Sequence, residues 1–176
     1  MSLLRFLGLQ PRESENQAIS AETESVRKIT RKLDALDPEN ARYIAAFAYI
    51  LSRVAHADMK ITEDEAREME RIVMETGRLT EEQAIIVVQI AKTQNKLFGG
   101  TEDFLVTREF NKIAGRDQKL SLLNCLFALS STDETISMVE DRVIRQIARE
   151  LNLEHRDFIA TRSAYREHLS VFKKKS

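Results

Sequence analysis

The chain has 176 residues, of which 43% are hydrophobic and 31% charged, with 5 Gly, 2 Pro and no Trp; this fits one globular domain and excludes collagen-like, low-complexity and disulfide-scaffold classes. Its 27 Lys and Arg stand against 28 Asp and Glu, a net charge of −1, so no global field would hold the chain on nucleic acid. The single cysteine, Cys125, rules out an intramolecular disulfide and a thiolate metal cluster and suits a reducing, cytoplasmic compartment.

At the start of the chain, Leu3, Leu4, Phe6, Leu7 and Leu9 are apolar, but no basic run precedes them and no small-residue cleavage site follows. A short helix docked on its own domain, or a frayed end, is the plain reading, with a weak anchor at a membrane surface as the alternative. Gln10 to Gln17 is polar and reads as a linker, so residues 1–17 are set apart from a helical domain expected over 18–172. Nowhere do about 18 apolar residues run together, which excludes a membrane-spanning helix. Residues 173–176 carry Lys173, Lys174 and Lys175, a basic tail expected to be solvated, with contact to phosphate or acidic lipid as the lesser reading.

Between these ends the apolar residues recur at helical spacing. From Ile19, the positions Val26, Ile29, Leu33 and Leu36 form one stripe, which predicts a helix ending near Leu36. Asp37 before Pro38 is a start signal, because the carboxylate can accept a free backbone N–H where proline needs none. The helix it opens should run to about Ala57, with Tyr43, Ile44, Phe47, Ile50, Leu51 and Val54 covered on more than one side; it is the candidate central helix. Thr62 with Glu65, Thr80 with Gln83, and Ser137 with Glu140 are capping-box pairs. They head helices expected to stop near Gly77, at Gly99–Gly100, and after Leu151. Another helix starts at Thr101 with Phe104, Leu105 and Phe110 and closes at Gly115, and the next carries Leu120 to Leu129. A last helix from about Glu154 holds Phe158, Ile159, Tyr165 and Leu169. No stretch alternates with period two, so the fold class is all-α, a bundle of about seven or eight helices. Its core candidates are Phe47, Leu51, Val54, Ile72, Ile90, Leu122, Leu126, Leu129, Ile147 and Phe158.

A shift of 75 residues lays Asp58, Ile61, Thr62 and Glu65 on Asp133, Ile136, Ser137 and Glu140. Phe47, Leu51 and Val54 then face Leu122, Leu126 and Leu129, and Met69 and Ile72 face Ile144 and Ile147. So long a period in two copies predicts a duplicated helix-loop-helix unit packed with approximate two-fold symmetry. At these residues the chain resembles the TerB-like family, which includes tellurite resistance protein B and the N-terminal domain of the DjlA co-chaperone. The family pattern is an apolar helix ending in Ala-x-x-Asp-Gly, then Ile, Ser or Thr, and Glu; Ala55-His56-Ala57-Asp58 and Ser130-Ser131-Thr132-Asp133 occupy its start. Over roughly 41–172, the resemblance implies an all-helical, non-catalytic domain tied to stress responses and metal-oxyanion resistance, sometimes joined to membrane or chaperone partners. Met59 and Glu134 replace the pattern's glycine, which disfavours a positive-φ turn at both loops.

Asp58 and Asp133 close helices whose negative dipole end opposes a carboxylate. The plain reading of the loops is an Asx turn, or a bond from each Asp to the next helix's free N–H groups, with Glu65 and Glu140 as capping partners. The alternative makes Asp58, Glu65, Asp133 and Glu140, with the Thr62 and Ser137 hydroxyls, hard-oxygen ligands for a divalent cation such as Ca²⁺ or Mg²⁺. His56, His155 and His168 lack zinc spacing, and Cys125 sits among Leu122 and Leu126 as a core residue rather than a nucleophile. No catalytic motif is present, so the chain is not expected to be an enzyme. Residues 58–82 hold nine acidic and four basic side chains, a polarity that can steer an oppositely charged partner or simply solvate a helix. The leading functional expectation is a cytoplasmic protein-interaction module in a stress or tellurite-resistance pathway, with a protein partner, membrane-associated or chaperone-related, and no nucleic acid. A cation-binding sensor is the second, and a position peripheral to the membrane is compatible with either.

Overall fold

A computed structural model describes residues 23–55, 61–94 and 101–173. The apolar start, the 10–17 linker, Gly99–Gly100, Lys174 and Lys175 lie outside these residues, as do His56, Asp58 and Met59. Eight helices follow in order: α1 Thr23–Asp34, α2 Pro38–Ser52, α3 Glu63–Glu75, α4 Glu81–Gln94, α5 Thr101–Ile113, α6 Arg116–Ser130, α7 Met138–Glu150 and α8 His155–Ala164. The described residues form an all-α bundle with no strand, only an isolated parallel bridge between Ile136 and Leu169.

The expected caps set the helix starts. Asp37 accepts the Asn40 N–H at 3.0 Å ahead of α2. All three capping boxes are made: Thr62 with Glu65, Thr80 with Gln83 and Ser137 with Glu140 exchange backbone and side-chain bonds. Each pair satisfies two N–H groups that the first turn leaves open. At its far end α7 closes in a Schellman motif. Asn152 takes φ 56°, its N–H reaches the Arg149 carbonyl, and the Leu153 N–H reaches that of Ala148; Asn tolerates this left-handed position better than most residues.

Packing makes α2 the centre. It touches α1, α4, α5 and α6, and Ile44, Phe47, Ile50 and Leu51 are wholly enclosed. The alanines between them let neighbouring backbones approach on several sides. The two repeats interleave: α3 packs on α6 and α5 on α7. Two aromatic clusters anchor the halves, Tyr43 with Phe47 and Phe110, and Phe127 with Phe158 and Tyr165. Cys125 is buried between them, and burial pushes its thiol up to about 12, as expected of a core residue.

Several expectations are corrected. Helix α2 ends at Ser52 rather than near Ala57, because tight bonds from Arg53 and Val54 to Ile50 and Leu51 close its last turn. The last helix stops at Ala164, and Leu169 belongs to the bridge with Ile136, where the Ile136 N–H donates to His168 and Ser170 donates to Ile136. Spacing alone could not show this, since one backbone bridge has no period. In α5 the inward side is Val106, Thr107 and Phe110, while Phe104 is 56% exposed. Of the core candidates, nine are buried and Leu129 is only partly so, for a reason given below.

The repeat holds in the helices that follow the two loops. Helices α3 and α7 each have 13 residues and start 75 positions apart. In the second loop Glu134 adopts φ 63°, so the positive-φ turn survives without glycine, contrary to expectation. A side chain there costs about 1 to 2 kcal/mol, and the flanking bonds hold it: Glu134 N–H to Ser131, and Lys173 to the Glu134 carbonyl. Glu134→Gly should therefore raise stability by about 0.5 to 1 kcal/mol after glycine's added unfolded-state freedom is subtracted, read as a higher urea midpoint at unchanged m-value.

Candidate functional site

Equivalent residues of the two units line one cleft. A cleft of about 500 Å³ is lined by Val54 and Leu129, by Ala55 and Ser130, and by Glu65 and Glu140, each pair 75 apart. Leu129 is half-open because it forms the floor of this cleft with Val54, Ile61 and Met69. Asp64, Glu68 and Asp133 complete an acidic rim. The duplicated sequence thus builds an apolar floor from the ends of α2 and α6, and a carboxylate rim from the starts of α3 and α7.

The four predicted site residues part company in detail. Asp58 lies outside the described residues. Glu65 accepts the Thr62 backbone N–H at 2.7 Å and its hydroxyl at 2.8 Å, and these two bonds hold its carboxyl below the ordinary glutamate range. Glu140 accepts the Ser137 N–H at 2.8 Å. Both glutamates therefore serve as capping partners while one edge of each faces the cleft. Asp133 is exposed and makes no hydrogen bond or ion pair among the described residues. The bond expected from it to the free N–H groups of α7 is not made, since Ser137 and Glu140 already satisfy that turn.

Sequence reading missed the polar members Asp64, Glu68 and Ser130 of this site. Glu68 lines the rim and is held ionised by Arg71, whose guanidinium donates at 2.6 Å and 3.0 Å. The Ser130 hydroxyl is buried and has no hydrogen-bond partner among the described residues, an arrangement that costs energy unless something else meets it. Its position in the repeat, opposite Ala55, was the available signal. Among the described residues no three His, Cys, Asp or Glu side chains converge closely enough to hold a metal ion. The other histidines stay apart from the cleft: His155 stacks on Phe158, and His168 lies 3.4 Å from the Glu134 carbonyl.

A second cluster is largely enclosed, open to solvent at Asp103. Arg53, at the end of α2, donates to both Glu150 oxygens at 2.6 and 3.3 Å and to Thr107 at 2.9 Å, and lies 3.4 Å from Asp103. Tyr49 donates to the other Asp103 oxygen. This cluster ties α2 to α5 and α7 and is too enclosed to serve a ligand, with Arg53 and Glu150 side chains 7% and 11% exposed.

Compared with known proteins, residues 43–163 match the family model described as tellurite resistance protein TerB. No curated protein and no solved structure matches the chain.

Proposed function

The chain belongs to the TerB family, and on that premise we propose that it is a non-catalytic binding module of a tellurite-resistance or related stress pathway, acting in the cytoplasm through a protein partner. The observation that carries this reading is the cleft lined by equivalent residues of the two units. Its apolar floor of Val54, Ile61, Met69 and Leu129 offers surface to be covered, and its rim of Asp64, Glu65, Glu68, Asp133 and Glu140 selects positive charge. A partner segment with aliphatic side chains flanked by Lys or Arg meets both demands, the first giving affinity and the second orientation and on-rate. Asp133 is exposed, and the pairing of Glu68 with Arg71 is itself half-exposed, so their charge can be reversed at little cost to the fold. The double substitution Asp133→Lys and Glu68→Lys should abolish capture of a partner that co-purifies with the unaltered chain, and raised salt should weaken that capture. Retention of the same partner by the charge-reversed chain overturns the reading.

A second reading is favoured by two observations: Asp133 has no partner among the described residues, and the buried Ser130 hydroxyl lacks one too. These oxygens, with Glu140, are the hard donors a Ca²⁺ or Mg²⁺ ion prefers. Binding would stabilise the fold by mass action, so the melting temperature would climb with cation concentration in the unaltered chain and not in Asp133→Asn. A melting temperature indifferent to millimolar Ca²⁺ and Mg²⁺ removes this reading and leaves the first intact.

A further inference from the structure

The carboxylates of the acidic cleft are spread out rather than gathered. Glu65 stands at the start of α3 and Asp133 in the loop before α7, one from each repeat. Among the described residues no three acidic side chains come together as a bound metal ion requires. Beneath them lies the aliphatic floor of Val54, Ile61, Met69 and Leu129. Separated negative charges over an apolar surface match a ligand built the same way, with separated cations joined by an apolar chain.

The charge of the cleft has one sign. Asp64, Glu65, Glu68, Asp133 and Glu140 line it, and no Lys or Arg is among the described lining residues. Two cations answer them from outside. Arg71 pairs with Glu68 but is shared with Glu75, and Arg67 lies 3.7 Å from Asp64 with both side chains well out in solvent, where such a pair holds little. Among the described residues the Glu65 carboxylate is bonded only to Thr62, and Asp133 to nothing, so neither charge is met by a cation. The floor adds a third kind of contact. Ser130 lines the cleft, and its hydroxyl is enclosed and without a partner among the described residues; a serine oxygen that no bond holds in one rotamer can turn to accept an N–H.

We propose that the cleft binds an aliphatic polyamine, a small molecule whose ammonium groups are separated by short methylene chains. This rests on the reading of the cleft as a binding site and names a small ligand for it. One ammonium group meets Glu65 and another meets Asp133 in charge-assisted bonds, while the methylenes between them cover Val54, Ile61, Met69 and Leu129 and take that surface out of water. The cleft's volume of about 500 Å³ lies within the roughly 300 to 1,000 Å³ of small-ligand sites. Other cations use less of it. A metal ion meets charge but leaves the floor wet, and it draws its ligands to one point where these carboxylates are dispersed. A single lysine side chain brings one ammonium for two rims, and a guanidinium fork is suited to one carboxylate at a time.

The test is calorimetric titration of the full chain with spermidine and with butane-1,4-diamine, beside butylamine and Mg²⁺ at matched ionic strength. Both polyamines should bind, and the diamine at least about tenfold tighter than Mg²⁺, which has its charge without its chain, or butylamine, which has its chain with half the charge. Glu65→Gln with Asp133→Asn should lower the affinity at least about tenfold. Their thermal melt should stay as it is, because glutamine also closes a capping box and Asp133 is exposed. Glu39→Gln with Asp117→Asn removes the same charge from exposed positions at the far ends of α2 and α6, and should leave binding unchanged. No binding of spermidine, Mg²⁺ equal to the diamine, an undiminished Glu65→Gln and Asp133→Asn variant, or an equal loss in the Glu39→Gln and Asp117→Asn variant would each overturn the proposal. Partner capture that is lost on charge reversal, with no spermidine bound, keeps the partner reading and removes this one; spermidine bound, with capture surviving charge reversal, does the opposite.

Discussion

Arg53→Met should destabilise the fold by about 3 to 5 kcal/mol, among the largest losses any single exchange of a charged residue in this chain can cause. The loss comes less from the bonds removed than from the charge left behind. Glu150 is 11% exposed and has its two oxygens engaged by Arg53; without the guanidinium it is a buried carboxylate left with the Gln146 amide at 2.9 Å and the Thr107 hydroxyl. Adding Glu150→Leu to Arg53→Met should return most of the stability, because a buried pair replaced by apolar residues of similar volume is often neutral. The pH dependence carries a sign that checks the account. In the native chain burial raises the Glu150 carboxyl, but Arg53 more than offsets this and leaves it lowered. The pair therefore stabilises the fold above the ordinary carboxylate range, and that contribution is lost as pH falls through the lowered value. In Arg53→Met burial, the largest single effect, is opposed only by the Gln146 and Thr107 bonds and the carboxyl rises from its native value, so acidification relieves the variant while it harms the native chain. Urea midpoints measured at neutral and at acidic pH should converge; a constant gap would show that Glu150 is not the source of the loss.

Much of this architecture was legible because it is written in local periods. The three capping boxes depend on residues three apart, and the stripe of Phe47, Ile50, Leu51 and Val54 depends on helical spacing. The duplication was legible too, in the register that lays Asp58, Ile61, Thr62 and Glu65 on Asp133, Ile136, Ser137 and Glu140, but the cleft that the two units line was not. What did not show was anything set by distant chain segments. Arg53 and Glu150 are separated by 97 positions, and nothing local distinguishes a buried arginine from a solvated one at the end of a helix, except that it interrupts an otherwise apolar run. The partner-free state of Asp133 was hidden for the opposite reason. Sequence predicted a carboxylate tied to the next helix, but Ser137 and Glu140 had already filled that role, and redundancy in caps leaves no trace in spacing. At Glu134 the rule that positive φ wants glycine was overruled by tertiary bonds to the C-terminal segment, 39 residues away.

Phe47→Ala should cost about 3 to 5 kcal/mol, measured as a fall in urea midpoint with the m-value kept. The ring is wholly enclosed, lies 6.0 Å from Tyr43 and 6.4 Å from Phe110 between centroids, and sits on the helix that touches α1, α4, α5 and α6. Four neighbouring helices limit how far the structure can collapse into the void, which places the cost toward the upper part of that range. The same ring explains Gly77. A Cβ added there would come within 2.5 Å of the Val73 carbonyl and 3.0 Å of Phe47 Cζ, so Gly77→Ala must also destabilise. The two contacts differ in kind, because the ring can be removed by substitution and the carbonyl belongs to the last turns of α3. If the carbonyl dominates, Phe47→Ala and Gly77→Ala together should lose nearly the sum of the single losses, since emptying the ring's place leaves the 2.5 Å clash untouched. If the ring dominates, the double variant should lose clearly less than the sum, by an interaction energy of about 0.5 to 3 kcal/mol. The shorter distance and the rigidity of helical backbone favour the first outcome: Gly77 is there so that the chain can leave α3 past its own carbonyl.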